Sequence, residues 1–178
     1  GDPGDTEAVT GKTGRVAAEG DGNGKAPVYG RIETENGFCF TYIMDEDDIV
    51  YGLGEANRGI NKRGYIYVSD CSDDPNHTED KRSLYGAHNF IVVSGKKTFG
   101  MFFDYPSTVT FDIGYTRMDT LKVSCDAADL NLYVIDGDSA YDIVKQFRHI
   151  IGRSYIPPKF AFGFGQSRWG YKTKEDFK

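Results

Sequence analysis

Between residues 28 and 137 apolar side chains recur at every second position in short runs. Phe38, Phe40 and Tyr42 alternate with Cys39, Thr41 and Ile43. Phe99, Met101 and Phe103 share a face, as do Val109, Phe111 and Ile113, then Leu121, Val123 and Cys125, then Leu130, Leu132 and Val134. Further apolar runs cover residues 49–53, 65–69 and 90–93. A period of two marks a strand with one buried face. Turn residues (Glu35-Asn36-Gly37, Ser94-Gly95-Lys96, Asp136-Gly137) break the runs at the spacing of an antiparallel sandwich or barrel. The pattern predicts a mainly β domain.

The period then changes. Ala140, Ile143, Val144, Phe147, Ile150 and Ile151 follow the i, i+3, i+4, i+7 stripe of an amphipathic helix. Ser139 with Asp142 resembles a capping box, with Asp138 the alternative cap, and Gly152 fits the position just past the last turn. Pro157 and Pro158 forbid continuation and lead into residues 160–165, which read as a buried strand. Gln166, Arg168, Trp169 and Tyr171 would lie at the C-terminal mouth of that strand, and the residues after Tyr171 read as the opening of a helix. A strand, a polar-aromatic mouth and a new helix are how a larger α/β domain begins, so the chain is expected to be a fragment. At the other end, residues 1 to about 26 are rich in Gly, Asp and Thr and bury too little to offset the entropy of ordering, which predicts a flexible leader with room for one peripheral strand. The expected organisation is a leader over 1–27, a β-sandwich over 28–137, a connector helix and linker over 138–158, and the start of a second domain over 159–178.

Composition narrows the function classes. A net charge of −6 leaves no basic footprint for nucleic acid, which excludes it as a partner. No apolar run reaches the roughly 18 residues that span a bilayer, so no membrane partner is expected. The 3 cysteines share no CxxC spacing and read as free thiols of a reducing compartment. With no secretory signal visible, a cytoplasmic location is expected.

Two places could carry chemistry. The first is the connection over residues 69–88, SDCSDDPNHTEDKRSLYGAH, which is long for a compact domain. It carries Asp70, Asp73, Asp74, Glu79 and Asp80, then Lys81 and Arg82. It reads either as a solvated, mobile loop or as a lid presenting a carboxylate to a polyhydroxylated ligand. Calcium fits poorly, because the EF-hand order of ligands and its central glycine are missing. His77, His88 and Cys71 lack a diagnostic zinc spacing, so no metal is assigned. No cofactor motif is present either, since a lone Gly52-Leu53-Gly54 does not make a phosphate loop. A second acidic cluster, residues 45–48, reads as a charged turn. The second place is the mouth around Trp169. An indole face packs on the C–H face of a pyranose while Arg168 and Gln166 could address its hydroxyls. Equally, Trp169 could be a packing residue and Arg168 a structural ion-pair partner.

Four segments together resemble glycoside hydrolase family 31, the α-glucosidases and α-xylosidases: YGLGE at 51–55, SLYGAHNF at 83–90, TFGMFFDYPS at 98–107 and PPKFAFGFGQSRWGY at 157–171. The resemblance covers about residues 28–178. It implies a galactose-mutarotase-like β-sandwich followed by a connector helix and the first strand of a (β/α)8 barrel, whose active sites gather at the C-terminal mouth of the strands. It implies the N-terminal region of a retaining α-glycosidase, most simply an α-glucosidase acting on terminal α-linked glucose of an oligosaccharide. Asp73 then matches an acidic residue on a sandwich loop near the leaving-group sugar. Trp169 matches a pocket-shaping position, with Arg168 and Gln166 as supports. The two carboxylates that such a mechanism needs belong to motifs absent from residues 1–178. They would lie beyond Lys178, and the chain alone is expected to be inactive. The alternative is a self-contained, non-catalytic carbohydrate-binding β-sandwich.

Overall fold

The computed structural model describes residues 14–17, 28–127, 129–165 and 170–177 of the chain. Ten strands and one helix longer than a single turn occur among these residues. The strands are β1 (Gly14–Ala17), β2 (Val28–Glu33), β3 (Phe38–Ile43), β4 (Ile49–Gly52), β5 (Tyr65–Ser69), β6 (Phe90–Ser94), β7 (Thr98–Asp104), β8 (Val109–Ile113), β9 (Thr120–Cys125) and β10 (Asn131–Asp136), followed by helix α1 (Ala140–Ile151). They form two antiparallel sheets, one of order β1-β2-β3-β9-β8-β5 and one of order β10-β7-β6-β4. The fold is a mainly β sandwich with one helix. The short β1, within the expected leader, pairs with β2 at the edge of the larger sheet.

Alternation explains why these runs are strands. In β3, Phe38, Phe40 and Tyr42 are buried while Ile43 is exposed. In β8, Val109, Phe111 and Ile113 turn inward. These side chains meet Phe99, Met101 and Phe103 of β7 and Leu132 and Val134 of β10 in the core between the sheets. β7 repeats every two residues on its other face as well: Phe102 packs against a second cluster of Phe90, Val92, Ile135, Ile143 and Phe147. The smaller sheet is therefore covered on both faces, by the larger sheet and by α1. That is why β6 is an unbroken apolar run rather than an alternating one.

Helix α1 begins as expected. Ser139 is extended and its hydroxyl accepts from the Asp142 N–H at 3.2 Å. The ring of Phe147 lies stacked on Phe90, centroids 3.8 Å apart, and edge-on to Phe102. Ile143 nests over Gly100 of β7, where an added Cβ would stand 2.4 Å from its Cγ2. The covered face is narrower than the apolar stripe: Val144 and Ile151 remain 43% and 56% exposed.

The strand expected over residues 160–165 is not formed. Lys159–Phe162 is instead a single 3-10 turn, with the Ala161 N–H donating to the Pro158 carbonyl and the Gly163 N–H to that of Phe160. Phe160, Phe162 and Phe164 are 83%, 72% and 95% exposed, so the expectation of burial is corrected too. A strand needs backbone partners on its edges. With none beside it among the described residues, the segment satisfies its amides locally. Beyond it, Thr173 and Asp176 exchange reciprocal side-chain to backbone hydrogen bonds at 3.0 and 3.3 Å, a capping box that opens only the turn Glu175–Phe177. The barrel strand and the helix after it are absent from the described structure.

Candidate functional site

The first two motif segments lie side by side. The Glu55 N–H donates to the Gly86 carbonyl at 2.7 Å, and the Gly86 N–H returns a bond to Glu55 Oε2 at 2.8 Å. Leu53, with φ of 63°, donates its N–H to Phe90. The approach is so close that a Cβ on Gly54 would stand 2.0 Å from the Gly86 oxygen. The glycines of YGLGE and SLYGAHNF are thus a backbone seam, not an anion-binding loop.

From this seam springs the acidic loop. Its base is tied by the Val68 N–H to the Arg82 carbonyl (2.9 Å) and by the Ser72 N–H to the Leu84 carbonyl (3.1 Å). Inside it, the Asp74 carboxylate pairs with Lys81 and accepts the Asn76 N–H at 2.9 Å. The Thr78 hydroxyl donates to Asp80 at 2.5 Å, and His77 packs edge-on to Tyr85. The outer side is held from the β4–β5 connection. Asn57 Nδ2 donates to the His77 carbonyl, and Arg58 donates to the carbonyls of Glu79, Asp80 and Ile66. The loop is therefore built, with bonds on both sides of its acidic tip.

Asp73 sits between the tied Ser72 and the ion-paired Asp74. Its side chain is exposed, and no described residue hydrogen-bonds or ion-pairs its carboxylate. Asp74 and Asp80 are spent on the loop itself. The Lys81 ammonium, then the Asn76 N–H, hold the Asp74 carboxyl below its ordinary value, and the Thr78 hydroxyl does the same for Asp80. A carboxyl depressed on folding contributes stability above the unfolded value of about 4 and loses it as pH falls through the folded value. We expect the Asn76 amide resonance, followed by NMR from pH 6 down, to titrate with a midpoint clearly below about 4. A midpoint at or above that value would show that the Lys81–Asp74 tie does not hold the loop.

Beside the loop's base runs an open groove of about 340 Å³, lined among others by Asp70, Cys71, Asn89, Tyr105 and Thr108. The other acidic cluster is a turn, as expected, but one member is interior. Asp48, 2% exposed, accepts from the Tyr42 hydroxyl at 3.0 Å and the Asp45 N–H at 2.9 Å. Burial, then Asp48, pushes the Tyr42 phenol far above its usual range. Arg63 gathers the carbonyls of Asp45, Glu46 and Asp48. Of the other candidates, Gln166, Arg168 and Trp169 lie outside the described residues. Asn57 and Arg58 carried no signal in the sequence, because their acceptors are main-chain carbonyls 8 to 22 positions away.

The motif seam, the built loop and the two-sheet core all fall within or next to residues 8–112, which match the profile of the glycosyl hydrolase 31 N-terminal galactose mutarotase-like domain. The chain belongs to this family. Over 163 residues it is 32% identical to alpha-glucosidase 2 of Bacillus thermoamyloliquefaciens, covering 84% of this chain and 21% of that protein. It is also 32% identical over 138 residues to an alpha-xylosidase of Saccharolobus solfataricus, covering 76% and 18%. Among solved structures, the glycoside hydrolase family 31 dextranase of Flavobacterium johnsoniae complexed with glucose aligns at a TM-score of 0.70 with 23% identity, over 92% of this chain and 21% of that one. The chain thus spans about a fifth of the length of these relatives.

Proposed function

We propose that this chain is the N-terminal region of a retaining α-glycosidase of α-glucosidase type, which removes terminal α-linked glucose from oligosaccharides. The observation that carries the reading is the acidic loop: it is fastened along both sides, and Asp73 at its tip is left exposed and unengaged by the described residues. A carboxylate held this way can accept hydrogen bonds from sugar hydroxyls without first giving up a protein partner. The identity to an α-glucosidase across most of the chain supports the substrate class.

In this reading the sandwich lends a wall to an active site at the mouth of a (β/α)8 barrel begun by residues 159–178. Asp73 addresses the leaving-group sugar. Trp169 packs against the substrate, with Arg168 and Gln166 supporting it. The nucleophile and the acid/base, a pair of carboxyls about 5–5.5 Å apart in retaining enzymes, belong to the remainder of the barrel beyond residue 178. The exposed Phe160, Phe162 and Phe164 are then the side chains that the neighbouring barrel elements would cover.

The test is an assay on p-nitrophenyl α-glucoside. The 178-residue chain is expected to give no turnover above background, and the complete protein that carries it to release glucose with retained configuration, seen by NMR of the first-formed anomer. Turnover by the isolated chain, or an inverted product, would overturn the reading.

A further inference from the structure

We infer that Arg58 is the positioning residue of the acidic loop: its guanidinium, with the Asn57 amide, clamps the loop's outer limb so that the carboxylate of Asp73 is held in one place over the sugar site. This inference rests on the reading of Asp73 given above.

The geometry of the clamp is unusually complete for a half-buried side chain. Asn57 Nδ2 donates to the carbonyls of His77 and Thr78, at 2.8 and 3.4 Å. Arg58 Nε donates to the Glu79 carbonyl at 2.9 Å, and Nη2 to that of Asp80 at 3.0 Å. Four consecutive main-chain carbonyls are thereby taken up by two adjacent side chains. The remaining arm, Nη1, donates to the Ile66 carbonyl of β5 at 3.1 Å, which ties the fork to the sheet. Its plane lies over Tyr65, with Cζ 4.2 Å from the ring centroid, and 5.2 Å from that of Tyr67.

A rigid fork with several donors suits this task, and a single ammonium does not. The clamp reaches Asp73 by a short covalent and ionic path. Immobilising residues 77–80 fixes Lys81, Lys81 holds the carboxylate of Asp74, and Asp74 is the residue next to Asp73. On the other flank, Ser72 is tied to Leu84. The loop also concentrates carboxylates at Asp70, Asp73, Asp74, Glu79 and Asp80, which would otherwise repel one another outward. Arg58 places a permanent positive charge on the inner side of that cluster, where it adds to the pull on Asp80. Arg58 touches no reacting atom in this scheme. Its effect is on where the carboxylate stands.

The test uses the complete protein with Arg58→Ala, Arg58→Lys, Asn57→Ala and Asp73→Asn, read by hydrogen exchange and by kinetics on maltose. In Arg58→Ala, amides of residues 76–82 should exchange roughly tenfold faster while those of β6 and β7 are unchanged. Its KM for maltose should rise about 5- to 10-fold with kcat within about twofold, the pattern of lost positioning and not of lost chemistry. Arg58→Lys should behave like Arg58→Ala, because the charge is kept and the fork is lost. Wild-type behaviour of Arg58→Lys would overturn the clamp. Were Arg58→Ala not to fold, Asn57→Ala removes half of the carbonyl contacts. It should speed loop exchange about threefold, and unchanged exchange would overturn the inference. Asp73→Asn separates the two readings. If it weakens maltose turnover about tenfold while Arg58→Ala leaves KM and exchange unchanged, Arg58 has no positioning role and Asp73 keeps its own. Wild-type kinetics of Asp73→Asn would overturn the assignment of Asp73, and this role of Arg58 with it.

Discussion

Phe103→Ala is expected to destabilise the domain by about 3–5 kcal/mol, the range for truncating a buried aromatic that leaves a cavity its neighbours cannot close. Phe103 is fully buried on β7 of the smaller sheet, and its ring meets three others from the larger one. It lies 5.9 Å from Phe38 at 71°, 6.1 Å from Phe40 and 5.7 Å from Phe111 at 82°. The contacts to Phe38 and Phe111 have the edge-on geometry that aromatic rings favour. Removing the central ring takes away transfer energy and these pair terms together. The three surviving rings are anchored on β3 and β8, which are fixed by their own ladders to β9, so the sheet cannot collapse inward. Urea denaturation should show the loss in the midpoint with little change in slope. Phe103→Leu, which keeps most of the volume, should cost about 1.5 kcal/mol or less. Equal losses for the two substitutions would show that the ring cluster contributes nothing beyond bulk.

The second large effect concerns the seat of the helix. Gly100→Ala is expected to cost about 2–3 kcal/mol although it adds a single methyl. The new Cβ would stand 2.4 Å from Ile143 Cγ2 and 3.2 Å from the Phe90 ring. Phe90 has no room to retreat, because it is stacked on Phe147. The cost should therefore fall on α1, seen as faster hydrogen exchange in the helix while the strands of the larger sheet keep their protection. The cause can be isolated by a double substitution. Ile143→Ala alone leaves a cavity, and Gly100→Ala fills part of it, so the pair should be less destabilising than the sum of the two singles. Strict additivity would show that Gly100 is required for some reason other than the close approach of Ile143.

These cases also show what made the sandwich readable. Strands β3 and β8 announce themselves because one face of each is buried and the other is not, so the side-chain period prints directly onto the sequence. Ser139 and Asp142 were legible because a cap is made between neighbours. What failed was whatever depends on a partner elsewhere. Residues 160–165 alternate Phe with small residues as a strand should, yet a strand is completed by hydrogen bonds from other segments, and none of the described residues provides them. Val144 and Ile151 belong to the helical stripe, but its width says nothing of how much surface the sheet offers. Within the candidate site, the length and acidity of the loop singled out Asp73. Its construction stayed hidden, because a guanidinium that binds main-chain carbonyls places no demand on which side chains those carbonyls carry. Asp48 was hidden likewise: its burial follows from the Tyr42 hydroxyl waiting beneath the turn.

The seat of α1 on the smaller sheet has a mechanical consequence. Only Gly137, Asp138 and Ser139 separate β10 from the helix, and Gln146 reaches back to the Asp136 carbonyl at 2.7 Å, so its direction is set by the sheet. A helix of 12 residues is a lever about 18 Å long, at 1.5 Å of rise per residue. Tilting it by some 5° about the Ile143 pivot would swing its far end by about 1 Å, and displacements of that size are enough to misalign reacting groups in an enzyme. The sandwich is thus an aiming mount for everything that follows Gly152, and its interior packing is a means by which distant substitutions could detune a catalytic centre they never touch.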